Sequence, residues 1–153
     1  MADAKQKLAR FTSWLGLACG VLSLVVFFFL MPAVSPRVVV YDESFTKDYN
    51  RYTWRFAMFS FVPDVFVDIW TPFVMGMISI ICHFGEFSFD WMCRTYGHFF
   101  VWNFVMALFG QIGYSGIIGI IASAFTLLCT LLSLICAFLV KDQSAKLQIT
   151  QQK

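Results

Sequence analysis

Long apolar runs separated by short polar breaks form the main pattern of this chain. A helix that crosses about 30 Å of hydrocarbon needs about 20 mainly apolar residues. Uncharged apolar runs of at least this length cover residues 12–31 and 114–140, and Pro32 marks the end of the first. Each run predicts a membrane-spanning helix. The first predicts a retained anchor, because it exceeds the roughly 7–15 apolar residues of a signal peptide and no A-x-A cleavage pattern follows it.

Two further spans are predicted in the middle of the chain, at residues 65–84 and 91–109. Asp68 lies near the start of the first of these, and Arg94 lies near the start of the second, at the expected membrane interface. Residues 110–113, with a glycine at each end, predict a tight turn before the final run. The sequence therefore predicts four spans. Three spans are the alternative, because the apolar part of residues 91–109 is short.

The other segments are polar or amphipathic. Residues 52–62 mix aromatic, arginine and aliphatic side chains, which favours the headgroup region and predicts an interfacial helix. The remaining parts are a basic N-terminal tail at residues 1–11, a polar loop at 33–50 and a polar C-terminal tail at 141–153. The predicted fold class is all-α: an integral membrane protein with about four transmembrane helices and one interfacial amphipathic helix. We expect residues 1–153 to form a single membrane domain.

The composition supports a membrane protein and excludes two other classes. Hydrophobic residues make up 59% of the 153 residues, and charged residues make up only 13%. Soluble domains usually carry about 25% charged residues. This chain has too little charge for a water-facing surface and too many apolar residues for a disordered chain.

Charge placement predicts the orientation. With four spans, seven of the 11 Lys and Arg residues lie on the side of both termini, and four lie on the other side. Positive residues concentrate on the cytosolic side, so both termini are predicted to face the cytosol or, in an organelle, a matrix-like side. The net charge is +2 and the basic residues form no stripe, so no nucleic-acid partner is expected.

Small residues recur at every fourth position in two of the predicted spans. Gly16 and Gly20 are spaced this way in the first span, and Ser115, Gly119 and Ser123 are spaced this way in the fourth. Such spacing opens a groove on one helix face, where another backbone can approach closely. The groove could hold a partner protein, or it could pack the helices of this chain together. The sequence favours internal packing, because a four-helix bundle needs such faces.

Three polar side chains within or beside the spans are candidate functional groups: Asp68, His98 and Asn103. A polar group within the membrane is costly and by default suggests a transport path. The competing interpretation is hydrogen bonding to a neighbouring helix, which the sequence favours. His98 and Asn103 are expected to lie deepest in the membrane.

No metal site, catalytic residue or cofactor is predicted. Bound lipids are the only ligands expected. Several residues of metal-binding types cluster around the break after the second predicted span, namely Cys82, His83, Glu86, Asp90, Cys93 and His98. Gly85 interrupts the pair His83 and Glu86, and no second Glu-x-x-His motif completes a di-iron site. Because no catalytic triad or phosphate-binding loop is present, the sequence predicts no enzymatic activity. The five cysteines are expected to be buried packing residues.

Three segments resemble one family of membrane proteins. They are Trp-Thr-Pro-Phe-Val-Met-Gly at residues 70–76, Tyr-Gly-His-Phe-Phe at 96–100 and Leu-Phe-Gly-Gln-Ile-Gly-Tyr at 108–114. In order and spacing the chain resembles the COPI-associated family of small four-span Golgi and endosomal membrane proteins, although Gln111 replaces the arginine of that family's Gly-Arg-Gly turn. The resemblance implies a non-enzymatic role in vesicle traffic, in Golgi or other endomembranes, with no catalytic residues.

Two alternatives remain open at this point. An accessory subunit of a respiratory complex, an ATP synthase or a photosystem would explain the aromatic segment and the long first loop as covered surface. It would place the chain in a mitochondrial inner membrane or a plastid membrane. A small transporter or channel is the other alternative. In each case the expected partners are membrane lipids and other membrane proteins, including those of a large multi-subunit assembly.

Overall fold

A computed structural model describes residues 2–33, 63–84, 90–114, 116–140 and 143–147. The predicted interfacial helix at 52–62, nearly all of the loop at 33–50 and Ser115 lie outside the described residues. Every regular element in the described part is helical, which confirms the all-α prediction.

Helix α1 runs without interruption over Ala2–Ala33. It includes the predicted basic tail as well as the predicted span, because the tail contains good helix formers and an ion pair one turn apart between Lys7 and Asp3, at 2.8 Å. The buried positions of α1 recur at spacings of three and four residues. They are mostly small: Ala9, Thr12, Ser13, Gly16, Cys19, Gly20, Ser23, Val26 and Phe27.

Helix α2 covers Pro63–Ile81 and runs antiparallel to α1. Phe27, near the end of α1, contacts Phe73 near the middle of α2, with ring centroids 4.9 Å apart. Further along α2, Gly76 faces Gly20. A Cβ atom on Gly76 would lie 2.9 Å from the Gly20 carbonyl oxygen, so the two backbones nearly touch. The Ser23 hydroxyl donates to the Pro72 carbonyl over 3.0 Å and adds a polar contact at the same interface.

The predicted third span is divided into three parts. A 3₁₀ turn at Asp90–Cys93 precedes helix α3, Tyr96–Val105, which continues as a π-helical segment over Met106–Gln111. The helix begins later than the sequence predicted, because Thr95 has extended backbone and its hydroxyl accepts a hydrogen bond from the His98 amide, as an N-cap does.

The π-helical segment contacts all three other helices. The Gln111 side chain donates to the Cys19 carbonyl of α1 over 3.3 Å, and Gly110 packs against Met75 of α2. Its Ala107 carbonyl accepts a hydrogen bond of 3.2 Å from Ser123, in the last helix. The wider π turn therefore occupies the middle of the bundle.

Helix α4 covers Ile117–Leu139, after a turn in which Gly113 and Gly116 adopt positive φ angles of 85° and 56°. Glycine adopts such angles readily, so the two residues reverse the chain in little space. The helix runs antiparallel to α1, since Thr126 lies near Cys19 and Cys136 lies near Thr12. Its buried stripe is small or hydroxylated: Gly119, Ala122, Ser123, Thr126, Cys129, Thr130, Ser133 and Cys136.

The four helices form an up-down-up-down bundle in which α1 contacts α2 and α4, and α4 contacts α3. Its polarity is the reverse of that of a soluble domain. Ile117 and Phe138 expose 75% and 73% of their surface, whereas Asn103 and Gln111 expose none. Two helices, Asp3–Leu30 and Ile117–Leu139, are long and apolar enough to cross a membrane, and Ile69–Ile81 is a shorter apolar helix.

The contact between Gly20 and Gly76 generates a prediction. Gly76→Ala would bring a methyl group against the Gly20 carbonyl and also within 3.1 Å of Ser23 and Leu24, so α1 and α2 must move apart. We expect a loss of about 1–3 kcal/mol in unfolding free energy, typical of overpacking. Thermal unfolding of the protein in mild detergent measures this loss.

Gly97→Ala is the matched control. The nearest atom to the new Cβ would be the Thr95 hydroxyl oxygen at 3.6 Å, an ordinary contact. Because alanine favours the helix over glycine, this change should leave stability unchanged or raise it by about 0.5–1 kcal/mol. Equal destabilisation by the two substitutions would contradict the close α1–α2 contact.

Candidate functional site

Hydroxyl groups line the interior of the bundle, and most of them are satisfied within their own helix. Thr12 and Ser13 donate to carbonyls four residues earlier in α1, over 2.9 and 3.2 Å. Thr126, Thr130 and Ser133 do the same in α4, over 3.0, 2.8 and 2.7 Å. This back-bonding lets a helix bury a hydroxyl without water. These groups therefore pack the bundle and leave no donor for a substrate.

The structure separates the polar residues that the sequence singled out. Asn103 is fully buried, and its side-chain nitrogen donates to the Phe99 carbonyl over 2.7 Å. His98 lies in the first turn of α3 with an exposed imidazole, 2.8 Å from the Thr95 hydroxyl. This position follows from Thr95, which starts the helix just before His98. The backbone of Asp68 is part of α2, and its side chain lies outside the described residues.

Four of the five small residues predicted to pack lie in the described part of the chain, and they pack against other residues of this chain. Gly16 receives the ring of Phe99 from α3, and a Cβ atom on Gly20 would lie 3.2 Å from the Gly76 carbonyl oxygen. Gly119 fits against the carbonyls of Gln111 and Tyr114 in the turn that precedes α4. Ser123 donates to the π-helical segment, as described above.

Sequence reasoning missed the burial of Gln111. The sequence predicts that Gln111 lies in a tight turn with a glycine at each end, and the structure shows that its side chain is fully buried and reaches α1. The available signal was a polar residue with apolar neighbours on both sides. Gln111 Oε1 and Asn103 Oδ1 are both buried without a hydrogen-bond partner in the described part of the chain.

Three of the residues of metal-binding types that the sequence groups after the second predicted span meet at one end of the bundle, where α2 ends and α3 begins. Cys82 and His83 follow α2 directly, and Cys93 is the last residue of the 3₁₀ turn. The Sγ atoms of the two cysteines are 2.6 Å apart, and His83 Nδ1 is 4.0 Å from Cys93 Sγ. All three side chains are buried, and their donor atoms lie within 4.8 Å of one another. We refer to these three residues as the thiol–imidazole cluster.

Neighbouring groups hold the thiol–imidazole cluster in place. The Phe99 ring packs edge-on against His83 at a centroid distance of 5.6 Å. From the C-terminal tail, the Ser144 hydroxyl and the Ala145 amide both donate to the Cys93 carbonyl, over 2.7 and 2.9 Å. Ala145 is itself fully buried. The C-terminal tail thus restricts the position of Cys93, and Phe99 restricts that of His83.

The imidazole of His83, in the turn beyond α2, is neutral at physiological pH. Burial, aided by the positive charge of nearby Lys146, lowers the pKa of the His83 side chain from 6.5 to about 4. Its Nε2 atom is buried and has no hydrogen-bond partner among the described residues. A neutral imidazole is the form that ligates metal ions.

The other three cysteines lie in the middle of the bundle, between α1 and α4. Cys129 donates to the Thr12 carbonyl over 3.7 Å, and Cys136 lies 3.5 Å from the Thr12 hydroxyl. Cys19 is hydrogen-bonded to Cys129. These thiols act as small packing residues.

No protein-family model matches the chain, and no curated protein and no solved structure matches it either. The resemblance to the COPI-associated family stays a prediction from the sequence.

Replacement of Gly119 by leucine tests the close packing at the start of α4. The new side chain would collide with the carbonyl oxygens of Gln111 and Tyr114. We expect the amount of protein in the membrane fraction to fall several-fold, because small losses of stability reduce abundance in cells to that extent. An immunoblot of membrane fractions measures the change.

Ile120→Leu, one residue later on the exposed face of α4, is the control. Its level should match that of the unmodified chain, since the side chain is 60% exposed. A Gly119→Leu variant that accumulates to the same level as Ile120→Leu would contradict the packing described here.

Proposed function

We propose that this chain is a four-span integral membrane protein with a non-catalytic role, which is to organise or stabilise other membrane components. The inverted polarity of the bundle carries the proposal. Large aliphatic and aromatic side chains cover its outside, whereas hydroxyl, amide and thiol groups lie inside it beside apolar side chains such as Phe99 and Met106. Such a surface is stable in lipid and would aggregate in water.

The helix lengths support four spans. At 1.5 Å per residue, the 19 residues of α2 extend about 28 Å, close to the thickness of the hydrocarbon core. Helix α3 and the π-helical segment add ten and six residues, which is short for a bilayer. A span of this length is accommodated by local thinning of the bilayer or by flanking residues that reach the interface.

The non-catalytic role is supported by the chemistry of the interior. Among the side chains that the structure describes, no Asp, Glu, Lys or Arg is buried. A proton or ion path would require such groups at spaced depths. Most of the buried hydroxyls donate to carbonyls of this chain, either in their own helix or in a neighbouring one, so the bundle offers lipids and other membrane proteins mainly its outer surface.

Vesicle traffic in Golgi and endosomal membranes is the setting that we propose. This step rests on the sequence resemblance, and two of the resembling segments contain glycines with a structural use. Gly76 faces Gly20 at the α1–α2 contact, and Gly110 packs against Met75. A related protein would need small residues at both positions to build the same bundle.

Gentle detergent extraction, native gel electrophoresis and mass spectrometry test this role. We expect the full-length chain to migrate as a small particle, with coat or cargo proteins at low stoichiometry and Golgi or endosomal markers in the same membrane fraction. Migration with a large, fixed set of subunits would instead identify an accessory subunit of a respiratory or photosynthetic complex and overturn the traffic proposal.

Protease protection in sealed vesicles tests the topology. Four spans place both termini on one side of the membrane, and the charge pattern predicts that this side is the cytosol. We therefore expect epitope tags at the two termini to be digested together from the cytosolic side. Protection of one tag alone would indicate three spans. A cytosolic marker protein and a lumenal marker protein in the same vesicles serve as controls for sealing.

A further inference from the structure

We propose that Cys82, His83 and Cys93 bind a soft d¹⁰ metal ion, Zn²⁺ or Cu⁺, at the end of the bundle where α2 ends and α3 begins. The proposal goes beyond the role in the membrane and does not depend on it. The sequence predicted no metal site because the three residues match no familiar ligand spacing. The fold brings them together, since α2 and α3 are antiparallel and the short connection returns the chain to the same end of the bundle.

The spacing of the three donor atoms suits a single ion. The sulfur–sulfur edge is 2.6 Å, the edge from Cys93 Sγ to His83 Nδ1 is 4.0 Å, and no edge exceeds 4.8 Å. Each donor atom is therefore close enough to the other two for all three to reach one ion. Tetrahedral coordination would also move the two sulfurs apart by about 1 Å.

The donor chemistry and the surroundings fit the same ion. Two thiolates and an imidazole are soft or borderline ligands, which prefer Zn²⁺ and Cu⁺ over Mg²⁺ or Ca²⁺. His83 is buried, and no hydrogen bond from its Nε2 atom to a described residue fixes the orientation of the ring. Coordination through Nδ1 would fix it. The hydrogen bonds from Ser144 and Ala145 to the Cys93 carbonyl hold that ligand in place, as outer contacts do in metal sites.

Metal binding by the full-length protein in detergent tests the proposal. The protein is treated with a chelator and a reductant, mixed with Zn²⁺ alone, freed of excess ion by gel filtration and analysed for metal content. We expect one ion per chain in the unmodified protein. Replacement with Co²⁺ should produce the charge-transfer absorption that thiolate ligands give.

Three variants locate the ion. Cys93→Ser should weaken binding by more than about 100-fold, because it removes a ligand and not merely an outer contact. His83→Gln should weaken it by at least about tenfold. Cys136→Ser removes a buried cysteine from the packed centre of the bundle and should retain one ion per chain. Full retention of the ion by Cys93→Ser would overturn the assignment.

An alkylation experiment on the unmodified chain covers the case in which a variant does not fold. Bound Zn²⁺ should protect Cys82 and Cys93 from a maleimide reagent, and mass spectrometry of peptides identifies the protected residues. Failure of reduced, folded protein to bind Zn²⁺ or Cu⁺ would overturn the proposal. A Cys82–Cys93 disulfide in protein quenched with acid directly from membranes would also overturn it, because the pair would then be a redox couple and not a ligand set.

Discussion

Close approach of α1 and α2 at Gly20 and Gly76 sets the spacing of the bundle. In lipid, helices gain little by burying large apolar side chains against one another, since the acyl chains offer the same surroundings. They associate where their backbones can come near, and that requires small residues. The buried faces of α1 and α4 are built from such residues, while the large side chains face outwards.

This spacing also explains where the polar groups lie. A narrow interior has room for serine, threonine and cysteine, and each can bond to a carbonyl one turn earlier in its own helix. Longer polar side chains need a wider place, and the π-helical segment at Met106–Gln111 supplies one. There Gln111 extends across the bundle to the Cys19 carbonyl, so a local change of helix type joins α3 to α1.

Much of this architecture could be predicted from the sequence, because length and hydropathy alone identify α1 and α4. The continuation of α1 through the basic tail was not predicted, because that segment was identified by its charge and not by the helix propensity of its residues. The exposed position of His98 followed from the cap at Thr95, a signal available in the sequence but not used. The sequence groups Cys82, His83 and Cys93 near one break, but their contact could not be predicted, because these residues meet only when two antiparallel helices place their ends together. Gly76 lies in a segment that resembles the COPI-associated family. Its contact with Gly20 depends on the register between α1 and α2, which the sequence does not reveal.

The contact between the C-terminal tail and Cys93 has a consequence for biosynthesis. Residues 143–147 leave the ribosome after all four helices, and they supply both hydrogen bonds to the Cys93 carbonyl. Until they emerge, the nascent chain can insert its helices but cannot close this end of the bundle. This end of the bundle therefore closes only after all four helices have been synthesised, and a quality-control factor that inspects it would distinguish chains that contain residues 143–147 from chains stalled before them.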